Sequence, residues 1–314
     1  MSGASTTAPV VITGATGFIG SALLAALIAA RHRVVVLRRS SSDLRRIMHL
    51  KGFETVIADR IDEPSLAERL KEHQPDAFVH CAWSGVAGQE RNEAYQISEN
   101  VPAVIETVKL AVKSGCTQWI GTGSQAEYGN PNAVISEDSR PLPTTIYGKA
   151  KLAASIAGLA LCEALGIQGC WVRIFSTYGP WEADHWFVPY LMREFAAARA
   201  PKLTRCEQRW DYLFVEDAAQ AIKRLLEAKD TGVFNLGSGQ ATPLRQIVDT
   251  TRSLMGAQVE PDFGAVPYRP DQVMHLQADI SKLNRATGWL PEVSIDEGLR
   301  RSVEHFREQA TRKI

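Results

Sequence analysis

Short apolar segments alternate with longer helical segments through the first half of the chain. The apolar runs are residues 10–12, 34–37, 56–58, 77–79, 118–120 and 169–174. The segments between them favour helices over about 18–30, near 43–50, after Pro64, over 92–114 and over 145–165. Uniformly apolar strands separated by helices are typical of a parallel sheet covered on both faces. Right-handed crossovers then give an α/β fold, a doubly wound parallel sheet of the Rossmann type.

The regular alternation of apolar runs and helical segments ends after about residue 176. Helices are predicted over 187–199, 215–229 and 295–310, and the run 233–235 is predicted to return to the sheet. Thr242 and Pro243 have the residue types of a helix N-cap and a first helical position. We therefore expect residues 1–175, with about 211–236, to form the Rossmann domain. Residues 176–210 and 237–314 are expected to form a smaller, irregular substrate lobe.

Charge and composition exclude several classes of protein. Lys+Arg and Asp+Glu both number 35, which argues against nucleic acid or an anionic membrane as the main partner. The apolar run 18–30 is too short to span a bilayer, and residues 1–8 lack the layout of a signal peptide. Five cysteines without a CxxC pair fit buried thiols in a reducing cytoplasm. The histidines have no ligand-like spacing, so no metal site is expected.

A glycine-rich turn follows the first predicted strand and opens the first predicted helix. Glycines let a backbone approach a pyrophosphate, and a helix N-terminus favours negative charge. The glycine spacing is three and three rather than GxGxxG, and the alternative interpretation is a tight structural turn. The position between strand and helix favours a dinucleotide site at Gly14, Ala15, Thr16, Gly17, Phe18, Ile19 and Gly20.

The end of the second predicted strand carries Arg38, Arg39 and Ser40. A site for NAD needs an acidic residue here to hold the ribose 2′-hydroxyl. Guanidinium groups instead suit a 2′-phosphate by charge and by bidentate geometry. The segment therefore predicts NADP(H) as cofactor. The alternative is a solvated basic loop, because Arg45 and Arg46 follow.

Tyr147 and Lys151 lie four residues apart at a predicted helix start, where they share one face. The ammonium group can stabilise a tyrosinate and lower the tyrosine pKa, so that Tyr147 passes a proton to or from a substrate oxygen. Ser124, just past the fifth strand, can hydrogen-bond the same oxygen. A YxxxK pattern alone occurs by chance in surface helices, but the glycine turn and Ser124 support a catalytic group.

The chain resembles the extended, or atypical, short-chain dehydrogenase/reductases, which include nucleotide-sugar epimerases, dehydratases and ketoreductases. The resemblance covers nearly the whole chain. It rests on the glycine turn, Asp59, His80-Cys81-Ala82, residues 123–129, residues 147–151, residues 173–180, residues 210–217 and residues 235–239.

The resemblance implies further contacts with cofactor and substrate. The additional cofactor contacts would be Asp59 with Arg60 or Ile61 at the adenine, then Cys81, Ala82, Trp83 and Phe175, with Lys151 also holding the nicotinamide ribose. The residues that contact the substrate, including its nucleotide diphosphate, would be Ser84, Ser124, Gln125, Ser176, Thr177, Arg209, Asp211, Arg269 and Asp271. Surface charge is the alternative for the last four. The chain departs from the family pattern at Trp210, where many members have arginine, and at Ser176, where many have asparagine.

Two segments help to choose among the reactions that the family catalyses. Dehydratases of this family carry Thr-Asp-Glu where this chain has Ser124-Gln125-Ala126, so the acid and base for elimination are missing at that place. The segment 82–85 resembles sugar-nucleotide 4-ketoreductases. We therefore expect NADPH-dependent reduction of the C4 keto group of a nucleotide-linked 4-keto-6-deoxyhexose. The alternatives are an epimerase with the same Ser/Tyr/Lys group, and a non-catalytic NADP-binding sensor. The family resemblance also implies a homodimer through the helices near 92–114 and 147–165.

Overall fold

The computed structural model describes residues 8–86, 88–269 and 272–311. The strands, in chain order, are β1 (Val10–Thr13), β2 (Val34–Arg38), β3 (Glu54–Ile57), β4 (Ala77–His80), β5 (Gln118–Ser124), β6 (Ala133–Ile135), β7 (Gln168–Ile174), β8 (Ser176–Tyr178), β9 (Lys202–Leu203), β10 (Arg209–Phe214), β11 (Gly232–Leu236), β12 (Ala241–Pro243), β13 (Asp262–Phe263) and β14 (His275–Ala278).

The α-helices are α1 (Phe18–Ala29), α2 (Leu66–Lys71), α3 (Tyr95–Ser98), α4 (Asn100–Lys113), α5 (Ile146–Leu165), α6 (Phe187–Ala196), α7 (Val215–Ala228), α8 (Leu244–Met255), α9 (Ser281–Thr287) and α10 (Ile295–Thr311). Two 3₁₀ turns, Gly88–Asn92 and Gln125–Glu127, follow β4 and β5. In the described part of the chain, no helix is long and apolar enough to cross a membrane.

Seven parallel strands form the main sheet, in the order β11-β7-β5-β4-β1-β2-β3. Both faces of the sheet are covered, because alternate residues of β1 enter different cores. Val10 and Ile12 pack in one core with residues of α1 and α7. Val11 packs in the other core with residues of α2, α4 and α5. The apolar runs therefore form the doubly wound sheet that the sequence predicts, and β11 returns to it as expected.

The segment 43–50 is not a helix, so that prediction is wrong. It forms isolated turns, closed by the amides of Ile47 and Met48 on the carbonyl of Leu44. Ile47 is its one deeply buried apolar side chain among residues 43–50. A helix of two turns needs an apolar stripe against the core to persist, and one buried side chain does not supply it.

The predicted helix over 92–114 is broken into α3 and α4. Pro102 lies in the first turn of α4, where its ring would clash with the carbonyl of Ser98 in a continuous helix. The break falls at Glu99 (φ −115°). The predicted cap at Thr242 is also wrong, since Thr242 pairs with Trp210 in a β-ladder and α8 begins two residues later.

A second sheet lies beside the first and contains β12, β10, β14 and β6, with β8 paired to β10. A separate core, with Leu191, Ile247 and Leu299 fully buried, packs α6, α8 and α10 together on this side. The boundary expected at about residue 211 falls inside β10. The division into a Rossmann domain and a substrate lobe at the stated residues stays a prediction.

Candidate active site

The glycine turn lies at the carboxyl end of β1, against the loop that follows β4. Gly14 adopts φ +72°, and a Cβ atom there would lie 2.5 Å from the backbone nitrogen of Ala82. Gly20 faces the carbonyl group of Gly14 and leaves no room for a side chain. These glycines bring the N-terminus of α1 close to the strand ends. The backbone thus offers the kind of cradle that a dinucleotide diphosphate requires.

A groove of about 400 Å³ runs along the carboxyl ends of the strands. Its size and the glycine cradle fit a dinucleotide cofactor. The sequence-predicted residues that line it are Gly14, Thr16, Gly17, Arg38, Arg39, Asp59, Ile61, Cys81, Ala82, Trp83 and Ser84.

The ribose end of this groove has an unusual charge arrangement. Arg38 and Arg39 line the groove, whereas the nearby carboxylate of Asp59 accepts hydrogen bonds from the amide and hydroxyl of Ser40, both at 2.8 Å. These hydrogen bonds, chiefly that of the backbone amide, lower the pKa of Asp59. Ser40 therefore orients the carboxylate. Arg38, whose Nη1 donates to the carbonyl of Arg39 at 3.1 Å, and Arg39 stay the residues predicted to contact a 2′-phosphate.

The structure places two predicted cofactor contacts elsewhere. Arg60 pairs with Asp62 at the exposed surface (Nε–Oδ1 2.9 Å), so Ile61 rather than Arg60 faces the groove. Phe175 is buried in a small core against Tyr128, with ring centroids 6.5 Å apart. Its ring packs the sheet and does not line the groove. The Arg60 pair is local in sequence, whereas the contact of Phe175 with Tyr128 depends on the fold.

Ser124 and Tyr147 are brought together at the end of β5. The side chain of Ser124 hydrogen-bonds the phenol of Tyr147 and also accepts from the amide of Ala126 at 3.2 Å. Tyr147 sits in the first turn of α5, which Thr145 caps by accepting from the amide of Gly148 at 3.1 Å. Burial raises the pKa of Tyr147, and the Ser124 hydrogen bond opposes that rise. The predicted pair is therefore assembled.

Lys151 shares the face of α5 with Tyr147, as predicted, but its ammonium group is directed elsewhere. Its Nζ donates to the carbonyl of Thr122 at 2.7 Å and lies 3.7 Å from the ring centroid of Trp83. The distance from Nζ to the Tyr147 ring centroid is 5.9 Å. Burial lowers the pKa of Lys151 to about 7. The prediction that Lys151 supplies the charge acting on the tyrosine is thus only partly met in this geometry.

Arg91 is a site residue that the sequence did not indicate. It lies in the 3₁₀ turn after β4, and its guanidinium carbon is 4.7 Å from the ring centroid of Tyr147. Its charge lowers the pKa of Tyr147, against the effect of burial. No periodic or motif signal marks this arginine, because it belongs to a loop whose position depends on the whole sheet.

Glu127 is a second residue that sequence reasoning passed over, although it lies within the segment 123–129. Its side chain is fully buried and pairs with Arg173 of β7 (Oε2–Nε 2.7 Å). The other oxygen accepts from the amide of Ser124 and the indole of Trp171, both at 2.9 Å. The reciprocal contact of Ser124 and Glu127 has the form of a capping box. Glu127 therefore fixes the backbone that carries Ser124.

A larger cavity of about 560 Å³ lies beyond Tyr147, between the two sheets. Arg91, Gln125 and Thr145 form its wall next to the catalytic pair, and Tyr212 and Arg269 lie farther along it. Both polar and apolar side chains line it, as is usual for a small-molecule site. Of the predicted substrate contacts, Gln125 and Arg269 line this cavity.

The fold engages the whole side chain of one predicted substrate contact, Asp211, and leaves Arg209, Ser176 and Thr177 as predictions. Asp211 is fully buried and accepts from the amides of Ser238, Gly239 and Ala278, so its prediction as a diphosphate contact is wrong. Arg209 is exposed and donates to the carbonyl of Ala241 at 3.0 Å. Ser176 and Thr177 pair with β10 in the second sheet. Asp271 lies outside the described residues.

No group of three or more His, Cys, Asp or Glu residues that could hold a metal ion is found among the described residues. His80, at the end of β4, is buried and hydrogen-bonded to Thr13 (Nδ1–Oγ1 2.7 Å). Burial, with the charge of Lys151, lowers the pKa of His80 to about 3. It is therefore a neutral group that ties β4 to β1.

Comparison with known proteins identifies relatives of the whole chain. Residues 10–237 match the NAD dependent epimerase/dehydratase family. The UDP-glucose 4-epimerase of Mycolicibacterium smegmatis is 28% identical over 316 residues, covering 95% of this chain and 98% of the relative. The dTDP-L-rhamnose 4-epimerase of Burkholderia thailandensis is 25% identical over 337 residues, covering 92% of each.

A solved structure of MoeE5 in complex with UDP-glucose and NAD has a TM-score of 0.82 and 25% sequence identity. The match covers 96% of this chain and 99% of that chain. The likeness therefore extends over nearly the whole chain, including both sheets.

Proposed function

The chain belongs to the NAD-dependent epimerase/dehydratase family, and on that premise we propose that it is a nucleotide-sugar 4-epimerase. The observation that supports this most is the position of Tyr147. One neighbour, Trp83, lines the 400 Å³ groove, and another, Arg91, lines the 560 Å³ cavity. A proton-transferring phenol thus stands where a dinucleotide and a nucleotide-linked sugar would meet. The relatives named as 4-epimerases support the same activity.

The residues of the chain divide the work between binding and proton transfer. The glycine turn would hold the diphosphate of the dinucleotide, and Trp83 would line the groove beside it. When bound, the nicotinamide cofactor supplies reversible two-electron oxidation at C4 of the sugar. Tyr147 accepts the proton of the C4 hydroxyl as the ketone forms and returns a proton to that oxygen when the opposite configuration is made. Ser124 hydrogen-bonds the same oxygen both when C4 is oxidised and when it is reduced again.

Elimination is disfavoured by the surroundings of Ser124. Gln125 and Ala126 face the cavity, and neither can act as an acid or a base there. The adjacent carboxylate, Glu127, is fully buried in its pair with Arg173. A dehydratase needs an additional acid and base beside the tyrosine. The local residues thus support epimerisation over dehydration.

We propose NADP(H) as the preferred cofactor, because Arg38 and Arg39 line the groove where the adenosine ribose would lie. This observation also favours a second candidate function, the NADPH-dependent reduction of a nucleotide-linked 4-keto-6-deoxyhexose. A reductase must exchange oxidised for reduced cofactor, whereas an epimerase restores its cofactor in each turnover. The comparisons favour the epimerase, so the reductase stays the alternative.

A homodimer is also proposed, through the face formed by α3, α4 and α5. Ile97 on α3 and Ile156 on α5 are 51% and 64% exposed. Burying such side chains against a second copy would remove apolar surface from water. Light scattering should give twice the chain mass for the wild type, and Ile156→Lys should reduce it to the monomer mass. A monomeric wild type would contradict the proposal.

The proposed function is tested by incubating the purified protein with UDP-glucose, UDP-N-acetylglucosamine, UDP-glucuronic acid and dTDP-L-rhamnose, each with NAD⁺ or NADP⁺. Chromatography that resolves C4 epimers should show conversion of at least one sugar to an equilibrium mixture. In parallel, nucleotide-linked 4-keto-6-deoxyhexoses are offered with NADPH. Stoichiometric loss of NADPH absorbance without epimerisation of any saturated sugar would overturn the epimerase and support the reductase.

A further inference from the structure

Two cationic side chains lie near the ring of Tyr147, and the nearer one is Arg91. The Arg91 guanidinium carbon is 4.7 Å from the ring centroid, whereas the Lys151 Nζ is 5.9 Å away. The turn that carries Arg91 is tied to α5, because the Asn92 side chain accepts from the amide of Ile146 at 3.3 Å. Arg91 is thus held against the first turn of the helix that presents Tyr147.

The guanidinium group of Arg91 has no hydrogen-bond acceptor at its Nε among the described residues. That atom is buried, and no acceptor among the described residues lies within hydrogen-bonding distance of it. The neighbouring carboxylate of Glu90 instead accepts from the hydroxyl of Tyr95 at 3.2 Å. A guanidinium group stays protonated at any pH at which the protein folds. Its field therefore acts on the adjacent phenol at full charge.

Lys151, by contrast, is already engaged. Its Nζ donates to the Thr122 carbonyl and lies over the Trp83 ring. Burial lowers its pKa to about 7, so its positive charge is lost as the pH rises through that value. The remaining groups that face Tyr147 are Ser124 from β5, which hydrogen-bonds the phenol, and Glu127 from the following turn, whose negative charge raises the tyrosine pKa.

We propose that Arg91 is a positioning residue for Tyr147, whose fixed positive charge stabilises the tyrosinate form and holds the ring against the cavity wall. The proposal rests on the proposed function, in which Tyr147 must lose a proton to accept one from the sugar. Arg91 supplies the positive charge over the pH range in which Lys151 loses its own. Proton transfer at Tyr147 then does not depend on the protonation of Lys151 alone.

The test compares Arg91→Gln, Arg91→Lys and the control Lys71→Met, an exposed cation at the end of α2. The pH profile of kcat is measured at saturating sugar nucleotide and cofactor, after thermal melting shows that each variant is folded. Arg91→Gln should shift the ascending limb upward by about one pH unit, with about a tenfold loss of kcat on that limb. The loss should shrink as the pH rises. Arg91→Lys should recover most of the activity.

An Arg91→Gln profile that falls equally at every pH would overturn the proposal, since a merely structural role lowers kcat without moving the limb. Arg91→Lys as impaired as Arg91→Gln would also overturn it. If the protein epimerises no sugar, the ionisation of Tyr147 is followed directly by ultraviolet difference titration against Tyr147→Phe. The midpoint should then be higher in Arg91→Gln than in the wild type. An unchanged midpoint refutes the role of Arg91 independently of the proposed function.

Discussion

Glu127 and Arg173 form a buried ion pair, with Oε2 and Nε 2.7 Å apart, that joins the turn after β5 to β7. Through its second oxygen, Glu127 also accepts the amide of Ser124 at 2.9 Å. Gly123, one residue earlier, has no room for a Cβ atom beside Glu127 and Trp171. The hydroxyl that faces Tyr147 is therefore held by a charged pair in the interior rather than by a flexible loop.

Removing one partner of this pair should be strongly destabilising. Arg173→Met leaves the Glu127 carboxylate buried without its cation, and we expect a loss of about 3–5 kcal/mol in the free energy of unfolding. The double variant Glu127→Gln/Arg173→Met should lose clearly less than the sum of the two single variants, because no charge is left unpaired. Urea denaturation measures all four proteins. Additive losses would show that the two residues do not act as a pair.

Tyr147→Phe should lower kcat by about 10²- to 10⁴-fold, the usual contribution of a positioned proton donor and acceptor. The affinity for the dinucleotide should stay at the wild-type value, since the groove is otherwise intact. Tyr95→Phe is the matched control, because the hydroxyl that it removes donates to the carboxylate of Glu90 at 3.2 Å and not to the proposed catalytic group. Unchanged turnover in Tyr147→Phe would contradict the proposed role of Tyr147 in proton transfer.

Cofactor preference should depend on the two arginines at the end of β2. The double variant Arg38→Ala/Arg39→Ala should weaken NADPH binding by about 10- to 100-fold, because charge-assisted hydrogen bonds to the 2′-phosphate are lost. NADH binding should change little. Arg45→Ala serves as control, since Arg45 is exposed and paired with Asp43 outside the groove. Fluorescence titration measures the affinity of each protein for NADPH and NADH. Tighter binding of NADH than NADPH by the wild type would contradict the proposed preference.

Glu182 should make stability depend on pH. Its Oε2 is buried without a hydrogen-bond partner among the described residues, and burial raises its pKa from 4.5 to about 8. Between pH 4.5 and 8 the folded state keeps a proton on Glu182 that the unfolded state has released. This contribution to the free energy of unfolding is therefore present below pH 4.5 and is lost as the pH rises towards 8. Removing the ionisable group should remove that loss.

Glu182→Gln should therefore gain stability relative to the wild type as the pH rises from 5 to 9, by at most about 5 kcal/mol in total, because each unit of pKa shift corresponds to about 1.4 kcal/mol. The control is Asp184→Asn, an exposed carboxylate on the same loop. Melting temperatures across the pH series give the comparison. A difference between Glu182→Gln and wild type that is constant with pH would show that the carboxyl group does not titrate in this window.

The sequence predicts those parts of the fold whose signal is local. Residues 10–12 are apolar at every position, which suffices for a strand buried on both faces. The sequence predicts a helix over 145–165, and the structure forms α5 over Ile146–Leu165 between the caps Thr145 and Gly166. The pattern predicts one helix over 92–114 and not the break before α4, because helix-forming residues continue on both sides of Pro102.

The candidate site was predictable where a motif carries it and not elsewhere. Gly14 and Tyr147 belong to short segments with fixed spacing, so their places follow from the chain. Asp211 belongs to such a segment too, but its carboxylate turns inward to three backbone amides, which depends on β14 lying alongside. Arg91 reaches Tyr147 because the 3₁₀ turn after β4 packs against the first turn of α5. The sequence around Arg91 does not predict this contact.

The most direct test of the central claim uses a nucleotide sugar deuterated at C4, followed by NMR in the presence of the purified protein and its cofactor. Epimerisation through reversible oxidation at C4 predicts that both C4 epimers appear and that both retain the deuterium. Formation of the second epimer with loss of deuterium to water, or no second epimer from any sugar tested, would contradict the account.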